Sequence, residues 1–509
     1  MTAWFLDLVS GMFSACDPVV FLCAFVGVMV GTAFGFIPGL GPAIGIAVAI
    51  PVTYGFEPLA AIGLLMGLYK GGTYGGSISA ILINTPGTAA ATATLLDGYP
   101  LAQQGRAGKA LKCALFGSCI GDAFAIMLLI VIAQPIASIA LKFGPAELFS
   151  LVIFALAVVS SLAAENLFKG LMACALGLML ATVGMDPITG DYLFTFGFQY
   201  LTDGFSIIAM AIGLFALAEV LNQSQEKVVS CEQALLPPPA TKDDTRMTRG
   251  DWKRCLPVFF QSSAIGAAIG ALPGTGSVLA AYMSYGNAKR RSKYPDLFGK
   301  GNIEGVAASE AGNNAVCGGA LIPMLTLGVP GDAVTAILMS ALLLHGVTVG
   351  PMVFVEHRAF TFGLFGILLI SILMLLISGF FFIWVGNKLC RLSAAMVMPV
   401  VVMLCAMGAY ASNYNMYDVG AIIGFAVLGF TMMKLGLPVA PMLISFVLQP
   451  SIESNLRQAL LVSHGDVSIF FTKPISAAFL LLAALVILQV ARSAVKKARR
   501  QEAAEQAAA

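Results

Sequence analysis

The sequence predicts an all-α polytopic membrane protein, and two observations carry this prediction. Of the 509 residues, 59% are hydrophobic and only 11% are charged, less than half of the roughly 25% usual in soluble proteins. Long uncharged runs reach or approach the ~20 residues that a membrane-spanning helix needs. These runs are residues 18–56, 123–141, 255–288, 359–387, 394–417 and 474–491. From the chain length we expect about 10–12 transmembrane helices, surrounded by a lipid bilayer.

The distribution of charge divides the chain into two membrane halves. Residues 1–221 and 255–491 are the two predicted membrane repeats. Residues 222–254 hold six basic side chains and three consecutive prolines, so we predict a basic cytoplasmic linker there. Residues 492–509 are basic and then rich in Ala, Glu and Gln, which predicts a cytoplasmic or exposed tail.

Two types of segment occur in both halves and in the same order. "GFIPGLGP" (35–42) aligns with "GALPGTGS" (270–277), and "GGSISAILINTPGT" (75–88) aligns with "GGALIPMLTLGVPGD" (318–332) with one extra residue. Matched segments of this kind are the mark of an internal repeat. We therefore expect two structurally equivalent halves.

The basic residues indicate that the two halves have opposite orientations. Residues 52–60 lack Lys and Arg, whereas their counterpart 286–304 has five. The bias reverses after the second matched segment, since 97–112 has three basic residues and 345–358 has one. Because basic loops stay on the cytoplasmic side, equivalent loops lie on opposite sides. The sequence thus predicts inverted-topology repeats, as in many secondary transporters.

The basic tail does not fit a complete inverted repeat. If the two halves match to their ends, the tail after residue 491 would emerge on the outer side. Either a short hydrophobic piece such as 437–449 adds a crossing, or one end departs from the symmetry. The sequence leaves both alternatives open.

Four Pro- and Gly-containing segments interrupt apolar runs: 38–42, 84–88, 273–277 and 330–332. Pro ends a helix and Gly allows unusual backbone angles, so we predict broken helices or re-entrant hairpins. Irregular backbone within a membrane is tolerated where protein buries it or where it lines a watered cavity. Close helix packing would explain any one segment alone. Their pairing across the two halves favours a binding site, with amide ends for anions and carbonyl ends for a cation.

The longest matched stretches resemble one family of transport proteins. "GLYKGGTYGGSISAILINTPGTAAATATLLDGYPLAQQGRAGKAL" (67–111), "AASEAGNNAVCGGALIPMLTLGVPGDAVTAILMSALLLHGVTVGP" (307–351) and "GFIPGLGP" are similar to the large membrane subunit of the tripartite tricarboxylate transporters. The resemblance implies a secondary importer of citrate-like carboxylates in the bacterial inner membrane. It also implies a small membrane subunit and a periplasmic solute-binding protein as partners, with Na⁺ as the coupling ion. We expect no other cofactor and no nucleic-acid partner.

The broken segments and one polar cluster supply the candidate site residues. The predicted contacts to the carboxylate substrate are Asn84, Thr85, Gly87, Thr88, Gly274, Thr275, Gly276, Ser277, Asn314 and Gly331. The predicted vicinity of Na⁺ comprises Gly39, Gly41, Glu310, Asn313 and Asp332.

Several of these residues have a purely structural alternative. Asp332 would serve equally well as the cap of the next helix. The segment "SEAGNN" (309–314) could be a capping box at a helix start, although Glu310 and Asn314 would share one helix face. Lys70 could meet a substrate carboxylate, but a structural role is favoured, in which it snorkels to an interface or pairs with an acid such as Asp122 or Glu165. Asp122 itself is expected to mark a helix end.

Other functions were weighed against transport. A channel is the main alternative, since inverted repeats occur in channels too. An intramembrane enzyme is less favoured: "VPGD" (329–332) matches only part of an aspartyl-protease motif, with Asp418 as the partner. The sequence contains no G-x-x-x-x-G-K-[ST] loop, which argues against an ATP-driven pump.

Overall fold

The protein is built almost entirely of α-helices. A computed structural model describes residues 2–162, 167–186, 189–225, 237–389 and 394–508. The strands found in these residues are β1 (Gly184–Met185) and β2 (Tyr192–Leu193), which form one antiparallel pair. The predicted all-α class is confirmed.

The N-terminal part of the chain, residues 2–225, contains ten α-helices among its described residues. They are α1 (Thr2–Ala15), α2 (Pro18–Phe36), α3 (Gly41–Ala49), α4 (Pro58–Ile83), α5 (Ala91–Gln103), α6 (Ala107–Ala140), α7 (Pro145–Leu162), α8 (Leu167–Ala181), α9 (Ile207–Ala211) and α10 (Ala218–Gln225). A π-helical turn (Ile212–Leu217) joins α9 to α10.

The helices of the C-terminal part start within the predicted linker. They are α11 (Arg249–Gly270), α12 (Gly276–Arg291), α13 (Ile303–Gly319), α14 (Leu321–Leu327), α15 (Ala333–Leu344), α16 (Val353–Glu356), α17 (Arg358–Leu389), α18 (Ala394–Asn413), α19 (Met416–Lys434), α20 (Val439–Val462), α21 (Ile469–Thr472) and α22 (Pro474–Ala508). Residues 439–449 of the short hydrophobic piece thus belong to a 24-residue helix, α20.

Several helices are long and apolar enough to cross a membrane. Among the described residues these are Pro18–Phe36, Ala107–Ala140, Ile207–Gln225, Arg358–Val385 and Met416–Lys434. Shorter apolar helices include Gly41–Gly55, Pro145–Ser161 and Ala333–Leu344. The chain is therefore a multi-pass membrane protein, and the number of crossings stays a prediction.

Glycines let two helix pairs approach closely. On α2, a Cβ at Gly27, Gly31 or Gly35 would lie 2.1–2.5 Å from a backbone oxygen of α4. On α11, a Cβ at Gly266 would lie 2.2 Å from the oxygen of Gly312 in α13. Small residues bring helix backbones together in membranes, and the same device holds the α2–α4 pair and the α11–α13 pair.

The helices group into a central and a peripheral body. The central body contains α1, α2, α4–α6, α11–α14 and α17, which pack on one another around α4 and α13. In the peripheral body (α7–α10 and α18–α22), α7 and α8 pack on α20, while α18 and α19 pack on residues 207–225. Helices α3 and α15 touch each other and both bodies. They therefore lie at the boundary.

Lys109 and Lys112 of α6 and residues 289–304 at and after the end of α12 lie against the linker, and we call this region the basic face. The described part of the linker docks there, with Lys109 Nζ 2.9 Å from Asp251 Oδ2 and Lys112 Nζ donating to the oxygen of Thr245 at 2.8 Å. Burial raises the pKa of Asp251, but Lys109 and Thr248 outweigh it and hold this pKa below its usual value. The linker residues 226–236 lie outside the described residues.

Two structural expectations from the sequence are wrong. Asp122 does not mark a helix end, because it is buried in the middle of α6. Residues 309–314 do not cap a helix start, because α13 begins earlier, at Ile303, with Asn302 as its cap. Of the alternatives open to Lys70, the structure shows the pairing with Asp122, at 3.0 Å.

Candidate functional site

The structure breaks the helices at the four predicted places. Three of these segments contain a residue with positive φ, Gly39 (84°), Asn84 (56°) and Gly274 (78°), and Gly328 (70°) ends α14 just before the 330–332 segment. Glycine adopts such angles without the strain that a Cβ would cause, and Asn is among the better tolerated alternatives. The Pro-Gly segments therefore end helices α2, α4, α11 and α14 as the sequence predicts.

The two breaks of the C-terminal half meet. The amide of Gly274 donates to the oxygen of Gly331 at 2.6 Å, so the 273–277 and 330–332 segments are joined by a backbone hydrogen bond. A Cβ at Gly331 would lie 2.6 Å from the Cα of Ala320. The second segment therefore folds back tightly against the end of α13.

The 84–88 turn folds back in the same manner in the N-terminal half. The amide of Gly87 donates to the oxygen of Gly76 at 3.1 Å. A Cβ at Gly87 would lie only 1.9 Å from the oxygen of Gly35, so this turn touches both α2 and α4. The hydroxyl of Thr88 is buried beside Gly76 without a hydrogen-bond partner.

The predicted substrate contacts differ in exposure. Asn84 and Thr85 are exposed at the tip of the turn, and Thr85 Oγ1 donates to the oxygen of Ile83. Thr275 is buried and donates to the oxygen of Ile269 at 2.5 Å, which completes the end of α11. Gly276 and Ser277 begin α12 and are half-buried.

Asp332 takes the structural role that the sequence left open. Its Oδ1 accepts from the amide and the hydroxyl of Thr335, both at 2.8 Å, in a capping box at the start of α15. Its Oδ2 accepts from the hydroxyl of Tyr69 at 2.8 Å. Both oxygens of this carboxylate therefore have protein donors.

Glu310 lies at the centre of a separate polar group in the central body. Its side chain is fully buried, and its Oε1 accepts from Ser77 Oγ at 2.5 Å and from Thr94 Oγ1. Its Oε2 accepts from Ser118 Oγ at 3.0 Å. The three hydroxyls come from α4, α5 and α6, so the carboxylate joins four helices.

Amide and further hydroxyl groups surround this carboxylate. Asn314 Nδ2 donates to Ser118 Oγ at 2.8 Å, and Ser309 Oγ lies 2.9 Å from Thr94 Oγ1. The Oδ1 of Asn314 and both polar atoms of Asn313 are buried without hydrogen-bond partners. We call Ser77, Thr94, Ser118, Ser309, Glu310 and Asn314 the Glu310 cluster.

Glu310 and Asp332 contact α4 at different levels. Ser77 of α4 donates to Glu310 and Tyr69 of α4 donates to Asp332, and these two donors are eight residues apart on the helix. Eight residues of α-helix rise about 12 Å. The structure therefore brings Glu310 together with Asn314 and places Asp332 elsewhere.

Gly39 and Gly41 lie at the start of α3. The space beside Gly39 is taken by Gln223, whose Nε2 would lie 1.5 Å from an added Cβ. The space beside Gly41 is open. The N-terminus of α3 has no side-chain cap, so its amides are available to an anion or to water.

Comparison with known proteins identifies the family. The model of the tripartite tricarboxylate transporter TctA family matches residues 21–444. The chain belongs to this family. This TctA-family protein is therefore the permease component of a tripartite tricarboxylate transporter.

Two curated relatives are similar to this TctA-family protein. One, an uncharacterized 52.8 kDa protein in the TAR-I ttuC' 3' region of Agrobacterium vitis, is 37% identical over 482 residues, covering 93% of this chain and 94% of that protein. Another, an uncharacterized protein in the TAR-II ttuC' 3' region of Agrobacterium vitis, is 38% identical over 236 residues, which cover 46% of this chain and 98% of that protein. No solved structure matches the chain significantly.

Proposed function

We propose that this protein imports tricarboxylates or related carboxylates by alternating access, driven by a Na⁺ gradient. It would work in the bacterial inner membrane with a small membrane subunit and a periplasmic solute-binding protein. The observation that carries the proposal is the pairing of helix breaks, two in each half, with Gly274 hydrogen-bonded to Gly331. Paired broken helices are typical of the substrate sites of secondary transporters.

The breaks offer backbone amides to an anionic substrate. The N-termini of α3 and α12 lack a side-chain cap, whereas Asp332 caps α15 and the first amides of α5 already donate to the backbone oxygens of residues 88–90. Uncapped N–H groups and the helix dipole attract carboxylates. We propose that the substrate meets these ends together with the exposed Asn84 and Thr85 and the half-buried Ser277.

The basic face supports one orientation in the membrane. Lys289, Arg290 and Arg291 end α12, and Arg254 of the linker lies over the Tyr294 ring just beyond that end. By the positive-inside rule this face is cytoplasmic. If α6, α7 and α8 each cross the membrane, the 182–206 connection lies on the opposite face and would receive the solute-binding protein.

The two bodies supply the moving parts that alternating access requires. Lys70 of α4 donates to the oxygen of Leu368 in α17 at 2.6 Å, which ties these helices into one central body. Helices α3 and α15 lie between the central and peripheral bodies. We propose that the bodies shift against each other along this boundary, carrying the breaks from one side of the membrane to the other.

Uptake into proteoliposomes tests this function. The vesicles would contain this chain, its small membrane subunit and the solute-binding protein, with labelled citrate or smaller carboxylates outside, with or without an inward Na⁺ gradient. Na⁺-dependent uptake that Asn84→Ala lowers in a folded protein supports the proposal. Uptake that is indifferent to Na⁺ would overturn the coupling, and absence of uptake with an active binding protein would overturn the substrate class.

A further inference from the structure

We propose that the Glu310 cluster binds one Na⁺ ion inside the central body. The first reason is charge. Asp122, Asp251 and Glu304 are also buried, and each faces a cation: Asp122 faces Lys70, Asp251 faces Lys109 and Glu304 faces Arg254. Two more buried carboxylates, Asp97 and Asp332, have no ion pair among the described residues, but both accept from backbone amides. In the described part of the chain, Glu310 takes part in no ion pair, and its hydrogen-bond partners are neutral hydroxyls.

A buried carboxylate without a counter-charge is costly in a membrane protein. In the proposed site Glu310 is ionised, and its two oxygens accept from the three hydroxyls. The ionised form leaves one negative charge inside the central body. A bound cation would neutralise it.

The second reason is the chemistry of the surrounding atoms. The cluster contains the two carboxylate oxygens of Glu310, four hydroxyl oxygens and the Oδ1 of Asn314. Asn314 is only 1% exposed, and its Oδ1 has no hydrogen-bond partner. Such an oxygen set suits a hard cation. One carboxylate balances one positive charge, whereas Ca²⁺ sites use several carboxylates. Hence the ion is monovalent.

The described residues contain no competing site for a transition metal, because nowhere in them do three His, Cys, Asp or Glu side chains come together.

The cluster also explains how the ion would act on transport. Ser77 precedes the 84–88 turn and Thr94 follows it, so an ion that binds both hydroxyls holds the two ends of this turn. By thermodynamic linkage, bound Na⁺ would then raise the affinity of the 84–88 turn for the carboxylate substrate. The bound substrate would in turn raise the affinity of the Glu310 cluster for Na⁺.

The experiment measures Na⁺ binding by the purified full chain without substrate, using ²²Na⁺ and the thermal unfolding temperature in NaCl against choline chloride at equal ionic strength. Glu310→Gln should abolish saturable Na⁺ binding and the Na⁺-dependent rise in unfolding temperature. Glu304→Gln is the matched control, since it changes a buried glutamate of the same helix and should keep both.

A hydroxyl variant keeps the test informative if Glu310→Gln fails to fold. Ser118→Ala should weaken apparent Na⁺ affinity roughly tenfold, the effect of losing about 1.4 kcal/mol. The control Ser263→Ala removes a buried hydroxyl that donates to the oxygen of Phe259 and should leave this affinity unchanged.

Three results would overturn the Na⁺ site. The first is a folded wild-type chain that binds no Na⁺, and the second is Na⁺ affinity that is the same in Glu310→Gln and Ser118→Ala as in wild type. The third is thermal stabilisation that follows pH and not Na⁺, which would favour a proton. The role of this ion as the driving ion rests on the proposed function. Na⁺ binding at Glu310 without any carboxylate uptake would defeat that function and leave the cation site standing.

Discussion

The Nζ of Lys70 lies 3.0 Å from the Oδ2 of Asp122, and both side chains are 1% exposed. Lys70 also donates to Leu368 and to Ser371 Oγ at 2.7 Å, so one ammonium joins α4, α6 and α17. The pair is complete in charge, unlike Glu310. We therefore assign Lys70 to holding the central body together and not to meeting the substrate.

Removing one partner of this pair should destabilise the protein strongly. Asp122→Leu leaves an unpaired buried ammonium, which costs about 3–5 kcal/mol, and Lys70→Met leaves an unpaired carboxylate at similar cost. The double variant should recover most of the loss. Thermal unfolding of the purified chain measures this, and a double variant as unstable as the worse single one would contradict it.

Gly87 should not tolerate a side chain. Because its Cβ would lie 1.9 Å from the oxygen of Gly35, Gly87→Ala must push the 84–88 turn away from α2, at a cost of about 1–3 kcal/mol. We expect a lower unfolding temperature and lost carboxylate uptake. Gly286→Ala is the control, because a Cβ there meets nothing within 4 Å.

Thiol labelling tests the assigned orientation. Phe196 is 81% exposed in the connection between α8 and α9, which the proposed orientation places opposite the basic face, whereas Lys289 lies in the last turn of α12 on the basic face. In a Cys16→Ser background, which removes an exposed native thiol, Phe196→Cys should react with an impermeant maleimide in intact cells. Lys289→Cys should react only after the membrane is opened. The reverse pattern would invert the topology.

Local sequence signals predicted the helix breaks, but they could not predict contacts between residues that are far apart in the sequence. Pro and Gly determine the backbone where they stand, so the breaks at Gly39, Asn84 and Gly274 could be predicted from neighbouring residues alone. The spacing of Glu310 and Asn314 also predicted a shared helix face, and Ser118 contacts both side chains.

The hydroxyl partners of Glu310 gave no such signal. Ser77, Thr94 and Ser118 come from three other helices, and isolated hydroxyl residues in apolar helices usually bond to their own backbone. The cap of α13 was misplaced for a related reason. Ser309 and Asn313 resemble capping residues, but Asn302, within the basic loop 286–304, already caps the helix.

Asp332 allows the cap and the cation role to be separated by substitution. Asn retains capping ability but removes the negative charge, so Asp332→Asn should keep α15 folded and leave Na⁺ binding at the Glu310 cluster unchanged. Tyr69→Phe should lower stability by about 1–3 kcal/mol, because it leaves the buried Oδ2 of Asp332 without its donor. Loss of Na⁺ binding in Asp332→Asn, with an unfolding temperature near that of wild type, would instead make Asp332 a ligand of the ion. Na⁺ binding and thermal unfolding, measured on the same preparations, decide between the two roles.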